Sequence, residues 1–322
     1  MEKDIISIIN KKEIVLASQR IKKHIHKTPV LSSEIINKLL DSNFFFKCEN
    51  FQKVGAFKSR GAVNAVFSLE ESEIQNGVCT HSSGNHAQAL AKAAMLRNIP
   101  AYIVMPENSP QVKVDAVKGY NGIITFCKAN LKARESTLKE IRDKTDAIEI
   151  HPYNNYNIIT GQATAAKELF EEIKNLDIII APIGGGGLIS GTALATHYFS
   201  PQTKVIAAEP EMADDAYRSF YEGKFIPSEN PQTIADGLLT SLGSITYDII
   251  KKYVDQIVVC SEEAIAEAMK LIWTRMKIII EPSAAVPLAT ILENKFDYKN
   301  KRIGIILSGG NVDLNKLPFN KQ

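Results

Sequence analysis

The sequence has almost no excess charge, few cysteines and no long apolar run, and each shortage closes off a class of function. Its 38 Lys and Arg stand against 36 Asp and Glu, a formal charge of +2 over 322 residues, and the basic residues are spread rather than clustered. Neither nucleic acid nor an anionic membrane is expected as a partner. Cys48, Cys79, Cys127 and Cys260 lie far apart with no C-x-x-C pair. That spacing excludes a disulfide frame or thiolate zinc site and predicts buried, reduced thiols. The longest apolar run, around Ile178–Ile183, is too short to span a bilayer. Met1–Lys27 mixes Ile with Lys and Glu and has no apolar core of the signal-peptide kind, so a soluble cytoplasmic protein is expected. There is no tandem repeat, low-complexity tract or flexible linker.

What is present is an ordinary globular composition, 45% hydrophobic and 23% charged, in a chain long enough for two lobes. Residues 11–27 read as an amphipathic helix that Thr28-Pro29 stops, and residues 44–48 as a strand. From residue 77 strands and helices alternate. Strands are expected at 78–80, 101–105, 123–127, 177–183, 204–208, 256–260 and 302–307. Helices are expected at 87–96, 111–117, 132–144, 163–173, 188–198 and 262–277, and after Pro282. Such alternation predicts an α/β protein, two lobes each with a mainly parallel sheet flanked by helices. Ligands then belong in the cleft, at loops following strand C-termini.

Four loops carry candidate chemistry. Lys58, in Lys53-Val-Gly-Ala-Phe-Lys-Ser-Arg-Gly61, sits where a turn enters a helix, with Ser59 as the expected N-cap and Ala62, Val63, Val66 and Phe67 on one face. A surface lysine is the ordinary reading; a nucleophilic amine would need partial burial to stay neutral. Ser82-Ser83-Gly84-Asn85-His86 opens the next helix, as either a routine cap or a carboxylate- or phosphate-sized anion site. Gly184-Gly185-Gly186-Gly187 follows the apolar strand and precedes a helix. Four successive glycines suit a phosphate cradle, with a tight packing turn as the bland alternative; no Gly-Lys-Ser/Thr follows, so this is not a nucleotide P-loop. Gly185-x-Gly187-x-x-Ser190 with Glu209 nearly matches a dinucleotide fingerprint, which keeps an NAD-dependent dehydrogenase open as a reading of a different class. Ser308-Gly-Gly-Asn311 ends the last strand. Glu209 and Asp215 bound a short acidic segment whose oxygen ligands suit Mg²⁺ or Ca²⁺, or which is simply a solvated turn.

Together the segments 47–61 (Lys-Cys-Glu-Asn-Phe-Gln-Lys-Val-Gly-Ala-Phe-Lys-Ser-Arg-Gly), 82–88 (Ser-Ser-Gly-Asn-His-Ala-Gln), 184–187, 233–237 (Thr-Ile-Ala-Asp-Gly), 280–283 (Ile-Glu-Pro-Ser) and 308–311 make one pattern. In that order they resemble the fold-type II pyridoxal phosphate (PLP) enzymes, the tryptophan synthase β-like fold, and within them the serine/threonine dehydratases and serine racemases. The resemblance implies a large PLP-binding domain of residues 1–69 and 151–322, a small substrate-binding domain of residues 70–150, and a homodimer. It implies Lys58 as the lysine that bonds the cofactor, Phe57 beside its ring, Gly184, Gly185, Gly186 and Gly187 at its phosphate, Asn85 at its ring hydroxyl and Ser308 at its pyridine nitrogen. Ser82, Ser83, Gly84, Asn85 and His86 would hold the substrate carboxylate.

The implied activity is an ammonia-lyase (dehydratase), with Lys58 taking the Cα proton and the β-hydroxyl leaving as water. Threonine would give 2-oxobutanoate and serine pyruvate. Ser83 matches the racemases, where a serine works from the face opposite the lysine, so serine racemase is an alternative. Glu209, Ala213 (through its carbonyl) and Asp215 match the divalent-cation site of racemases and some lyases, implying Mg²⁺, or Ca²⁺ or Mn²⁺. Val54 stands where the ATP-activated animal racemases have Thr. Gly-Ala-Phe-Lys is also the form of the threo-3-hydroxyaspartate ammonia-lyases, a third alternative, for which Arg134 is the candidate partner of a second substrate carboxylate.

Overall fold

The computed structural model describes residues 8–319. Ten strands form two sheets: β1 (Val30–Leu31), β2 (Asn43–Cys48), β3 (Val78–His81), β4 (Ala101–Pro106), β5 (Ile123–Cys127), β6 (Ile148–Glu149), β7 (Ile178–Pro182), β8 (Lys204–Pro210), β9 (Gln256–Cys260) and β10 (Arg302–Leu307). The six-stranded sheet has the order β1-β2-β10-β7-β8-β9, parallel except for β1. The four-stranded sheet, β5-β4-β3-β6, is wholly parallel. Both are covered by helices, which is what continuous apolar strands such as Ile178-Ile-Ile-Ala-Pro182, buried at every position, require. At roughly 1.5–3 kcal/mol per buried Ile side chain, β7 and β10 anchor the large core.

The strand order explains how a site arises here. β2, β10 and β7 are adjacent and parallel, so their C-terminal ends lie at one edge of the sheet, spanning about 10 Å. The chain leaves β2 toward Lys58, β10 at Ser308 and β7 at the glycine loop. Three segments far apart in sequence therefore open side by side.

Several expectations shift. The helix expected at 11–27 covers Lys11–Ile21 and is shorter, because Ile21 ends its buried face and Lys22-Lys23 offer nothing further to bury. Ser59 does not cap the lysine helix (Lys58–Phe67); the helix starts one residue before it, and its hydroxyl donates to the Lys53 carbonyl at 2.5 Å. The short strands β1 and β6, and the helices Glu34–Leu39, Asp215–Glu222 and Ser244–Tyr253, were not predicted. All four cysteines are free and buried. Among the described residues no helix is long and apolar enough to cross a membrane.

Candidate active site

Lys58 is held where the apolar lysine helix meets the helix Tyr156–Glu172. Its Nζ donates to the Pro152 carbonyl at 2.8 Å and lies 5.1 Å from the centroid of the Phe57 ring. Burial pulls the amine down to about 8, while the carboxylate of Glu281 pulls the other way. A half-buried, hydrogen-bonded amine with a lowered value stands against the surface-lysine reading. Phe57 N–H donates to the Ser308 carbonyl at 2.9 Å, tying the lysine loop to the end of β10. The Ser308 hydroxyl is buried and has no hydrogen-bond partner among the described residues. An orphaned hydroxyl beside a depressed lysine fits a bound group that is itself polar.

The glycine loop starts the helix Gly187–Phe199. Gly186 is its N-cap at φ +87°, a left-handed conformation that a side chain would strain, and no side chain caps the helix. Its first N–H groups are therefore open to an anion. The loop is also close-packed: a Cβ on Gly185 would strike the Tyr153 ring, and one on Gly184 would come within 2.8 Å of Leu238 Cα. Packing alone thus accounts for glycine at these places, and the uncapped helix start is the stronger sign of a phosphate site.

Across the cleft, the Ser82–His86 loop leaves β3 and enters the helix Asn85–Leu96, whose N-cap is Gly84, again without a side-chain cap. Ser82 spends its oxygen on Gly84 N–H at 3.3 Å, so the N–H groups at the helix start are free for a carboxylate. Ser83 is half-buried in the same loop. The His86 side chain turns inward: its Nε2 is 3.0 Å from the Ile150 carbonyl, which makes that nitrogen the N–H donor. Burial first, then Lys58, takes it down to about 3, so it is neutral. Asn85 bonds Glu281 and Asn311 on the large lobe, a contact that brings the two lobes' loops together.

Arg134 lies in the first turn of the helix Leu131–Thr145, half-buried, with Nε sealed from water and no acceptor among the described residues. Its charge reaches His81, at the end of β3: burial mainly, and Arg134 next, hold that imidazole below its usual range. His81 meets His151 edge-on at 6.4 Å between centroids, and His151 meets Tyr153 at 4.6 Å. Burial, then His81 and Lys58, lower His151 to about 4. His81, His151, Tyr153, Glu281 and Asn311 were not singled out from sequence. Glu281 and Asn311 lie inside quoted motifs, whereas His151-Pro-Tyr153 follows an edge strand too short to recognise.

Glu209 is the penultimate residue of β8, buried, and its two oxygens accept from Ala216 N–H at 3.0 Å and Tyr217 N–H at 2.7 Å. Bound to a helix start in this way, it is not presented to a ribose, and the dinucleotide reading loses its acid. Asp215 is 1% exposed, and neither of its oxygens has a donor at bonding geometry among the described residues. Burial raises Asp215 to about 6, tempered by the approach of the Ser228 hydroxyl and Leu242 N–H. Burial and then Asp215 raise Glu209 well above the carboxylate range. Two such carboxylates side by side fit a cation. Among the described residues no three His, Cys, Asp or Glu cluster for a metal, so a cation here would take the buried Ala213 carbonyl as a further ligand. Asp215 also acts on Tyr153, which packs behind the glycine loop.

A family model described as "Pyridoxal-phosphate dependent enzyme" matches residues 21–309. The chain is 52% identical over 308 residues to the β-hydroxyaspartate dehydratase of Paracoccus denitrificans, covering 96% of this chain and 98% of that one. The crystal structure of serine racemase from Dictyostelium discoideum superposes with a TM-score of 0.91 at 51% identity, covering 95% of this chain and 100% of the other. The crystal structure of maize serine racemase gives 0.93 at 45% identity, with 96% and 95% covered.

Proposed function

The chain belongs to the pyridoxal-phosphate dependent enzymes, in the group of dehydratases and serine racemases, and on that premise we propose that it is an ammonia-lyase whose preferred substrate is 3-hydroxyaspartate. Threonine and serine, expected first from the resemblance, become the weaker substrates. One observation carries the reversal: Arg134 is half-buried with an unpartnered, water-sealed Nε, and a second substrate carboxylate would satisfy it. A relative 52% identical that is named for β-hydroxyaspartate supports the same choice.

Bound PLP supplies the electron sink at Cα. Lys58 would hold the cofactor, and its amine, lowered to about 8, would suit the transfer of the Cα proton. The open N–H groups of the glycine-loop helix take the phosphate, and Phe57 flanks the ring. The unpartnered Ser308 hydroxyl would meet the pyridine nitrogen, and a neutral hydroxyl there would leave a weaker sink than an acid, favouring loss of the β-hydroxyl. Residues 82–86, with Asn85 turned to the ring hydroxyl, hold the α-carboxylate at their helix start. Loss of water and then hydrolysis give oxaloacetate and ammonia. Glu209, Ala213 and Asp215 would hold Mg²⁺ or a similar cation, which would neutralise the Asp215 charge that acts on Tyr153 behind the glycine loop. Residues 70–150 form the substrate lobe, and two chains pair as a homodimer.

Arg134→Ala should lower kcat/KM for 3-hydroxyaspartate by roughly ten- to a hundred-fold, the worth of a charged hydrogen bond of about 1.5–3 kcal/mol, and leave threonine turnover nearly unchanged. Equal losses on both substrates in a 2-oxo acid assay would sink the substrate assignment. A second reading, serine racemisation, rests on Ser83 in the carboxylate loop. Ser83→Ala should abolish any racemisation while elimination continues, as followed by chiral chromatography of the remaining substrate.

A further inference from the structure

Glu281 stands at the N-cap of the helix Pro282–Leu292, buried, between the two lobes, and its carboxylate caps nothing in its own helix. Instead Asn85 Nδ2 of the small lobe donates to both of its oxygens, at 3.0 and 3.2 Å, and Asn311 N–H of its own lobe donates to Oε2 at 3.2 Å. The other end of the Asn85 amide is taken as well, since Oδ1 accepts from Asn311 Nδ2 at 2.8 Å. Asn311 is itself fixed by a 2.7 Å bond from Nδ2 to the Val54 carbonyl, in the loop that leads to Lys58.

This arrangement admits one sense of the Asn85 amide. Turned over, its oxygen would face the Glu281 carboxylate and its NH₂ would face the NH₂ of Asn311, two repulsive contacts in place of two bonds. The backbone is shaped around the clasp: a Cβ on Gly309 would come within 2.6 Å of Glu281 Oε1, and one on Gly55 within 2.6 Å of Asn311 Oδ1. Glu281 N–H is bonded to the Gly309 carbonyl at 3.0 Å, and Gly310 N–H to the Gly55 carbonyl at 2.9 Å, so the lysine loop, the end of β10 and the clasp move as one piece.

We propose that Glu281 and Asn311 are positioning residues that orient the Asn85 amide, nitrogen toward Glu281, so that the docked small lobe presents a hydrogen-bond donor to the cofactor ring. This rests on the assignment of Asn85 to the ring hydroxyl. Neither Glu281 nor Asn311 touches the reacting atoms; they act through Asn85 and connect it to the segment bearing Lys58. The clasp also makes the ring contact conditional on lobe docking, because Asn85 belongs to one lobe and both of its holders to the other.

A double-mutant cycle on the purified holoenzyme tests this. Asn85→Ala, Glu281→Gln and the double variant are compared for PLP affinity and for the absorption maximum of the bound cofactor, with circular dichroism confirming the fold. Each single variant is expected to weaken PLP binding about tenfold and to move the absorption maximum in the same direction. The double variant is expected to match Asn85→Ala alone. Additive effects would overturn the proposal while leaving Asn85 at the ring. No effect of Asn85→Ala on spectrum or affinity would overturn both the proposal and the Asn85 assignment. If Glu281→Gln does not fold, Asn311→Ala closes the same cycle with the same expectations.

Discussion

The chain buries two clusters of charge in its large lobe, and they are opposites. In the first, Arg60 is fully buried and donates to Glu49 from Nε and Nη2 at 2.7 and 2.8 Å, and to Glu168 from Nη1 and Nη2 at 2.8 and 2.7 Å. Lys47 donates to Glu168 at 2.7 Å and to the Thr28 carbonyl at 2.7 Å. Two cations meet two carboxylates, and the Thr28 and Thr164 hydroxyls take up remaining bonds. In the second, Glu209 and Asp215 are buried together with no ion pair among the described residues, only the more distant charge of Arg218, and both resist ionising. The first cluster is complete and holds the lysine helix to β2 and the helix Tyr156–Glu172. The second leaves both Asp215 oxygens without a donor among the described residues, and that is the difference between the two.

The largest effect should come from breaking the complete cluster. Arg60→Met leaves Glu49 and Glu168 buried without their partner and should cost about 3–5 kcal/mol in urea unfolding, equally with and without Mg²⁺. A cost that depends on Mg²⁺ would mean the two clusters are not independent. Next, removing divalent cation with EDTA should lower stability by about 2–3 kcal/mol if the site had been near a hundredfold over its Kd, with Mg²⁺ restoring it. Asp215→Asn should make EDTA silent and should be more stable than the metal-stripped parent, since it removes the like-charge conflict. Indifference of the parent to EDTA would return Glu209 and Asp215 to a plain structural pair.

The smallest effect is in the sign of the pH dependence. Asp215 is higher in the folded chain than its ordinary 3.8, so its contribution is present at low pH and is lost as pH rises toward about 6 in metal-free protein. Glu168 goes the other way. Burial pushes it up, but Arg60 and Lys47 outweigh that and hold it below its ordinary 4.5, so its contribution is present above that value and lost as pH falls through the folded one. Thermal melts of the metal-free protein between pH 4 and 6 should therefore improve at the low end when compared with the Asp215→Asn variant. Parallel profiles for the two proteins would contradict the reading of Asp215.

Much of this was legible in the sequence because it is local. The alternation of strands and helices, the lysine loop, the glycine loop and the Ser82–His86 loop each carry their own pattern, and all were placed at strand C-termini. What was not legible depends on partners distant in the chain. Lys47 and Arg60 are visibly odd, charges inside an apolar strand and an alanine-containing helix, yet nothing local says that Glu168 answers both. Glu281 lies inside a quoted motif, but its bond to Asn85 joins residues 196 apart. β1 and β6 have two residues each, too few for any period to show. Arg134 was a candidate only through the resemblance, and the burial of its unpartnered Nε is not visible in the sequence.

The position of β10 between β2 and β7 has a consequence for how the protein is made. Lys58 emerges early in synthesis, while Ser308 and Asn311 come from the last strand and the loop after it. At roughly 5–20 residues per second, the intervening stretch of about 250 residues occupies the ribosome for on the order of ten to fifty seconds. Once β7 has been made, it and β2 wait for the neighbour that belongs between them, and Lys58 waits for the Ser308 segment that Phe57 bonds. The six-stranded sheet is thus completed at its middle by the last of its strands in chain order, rather than by growth at an edge.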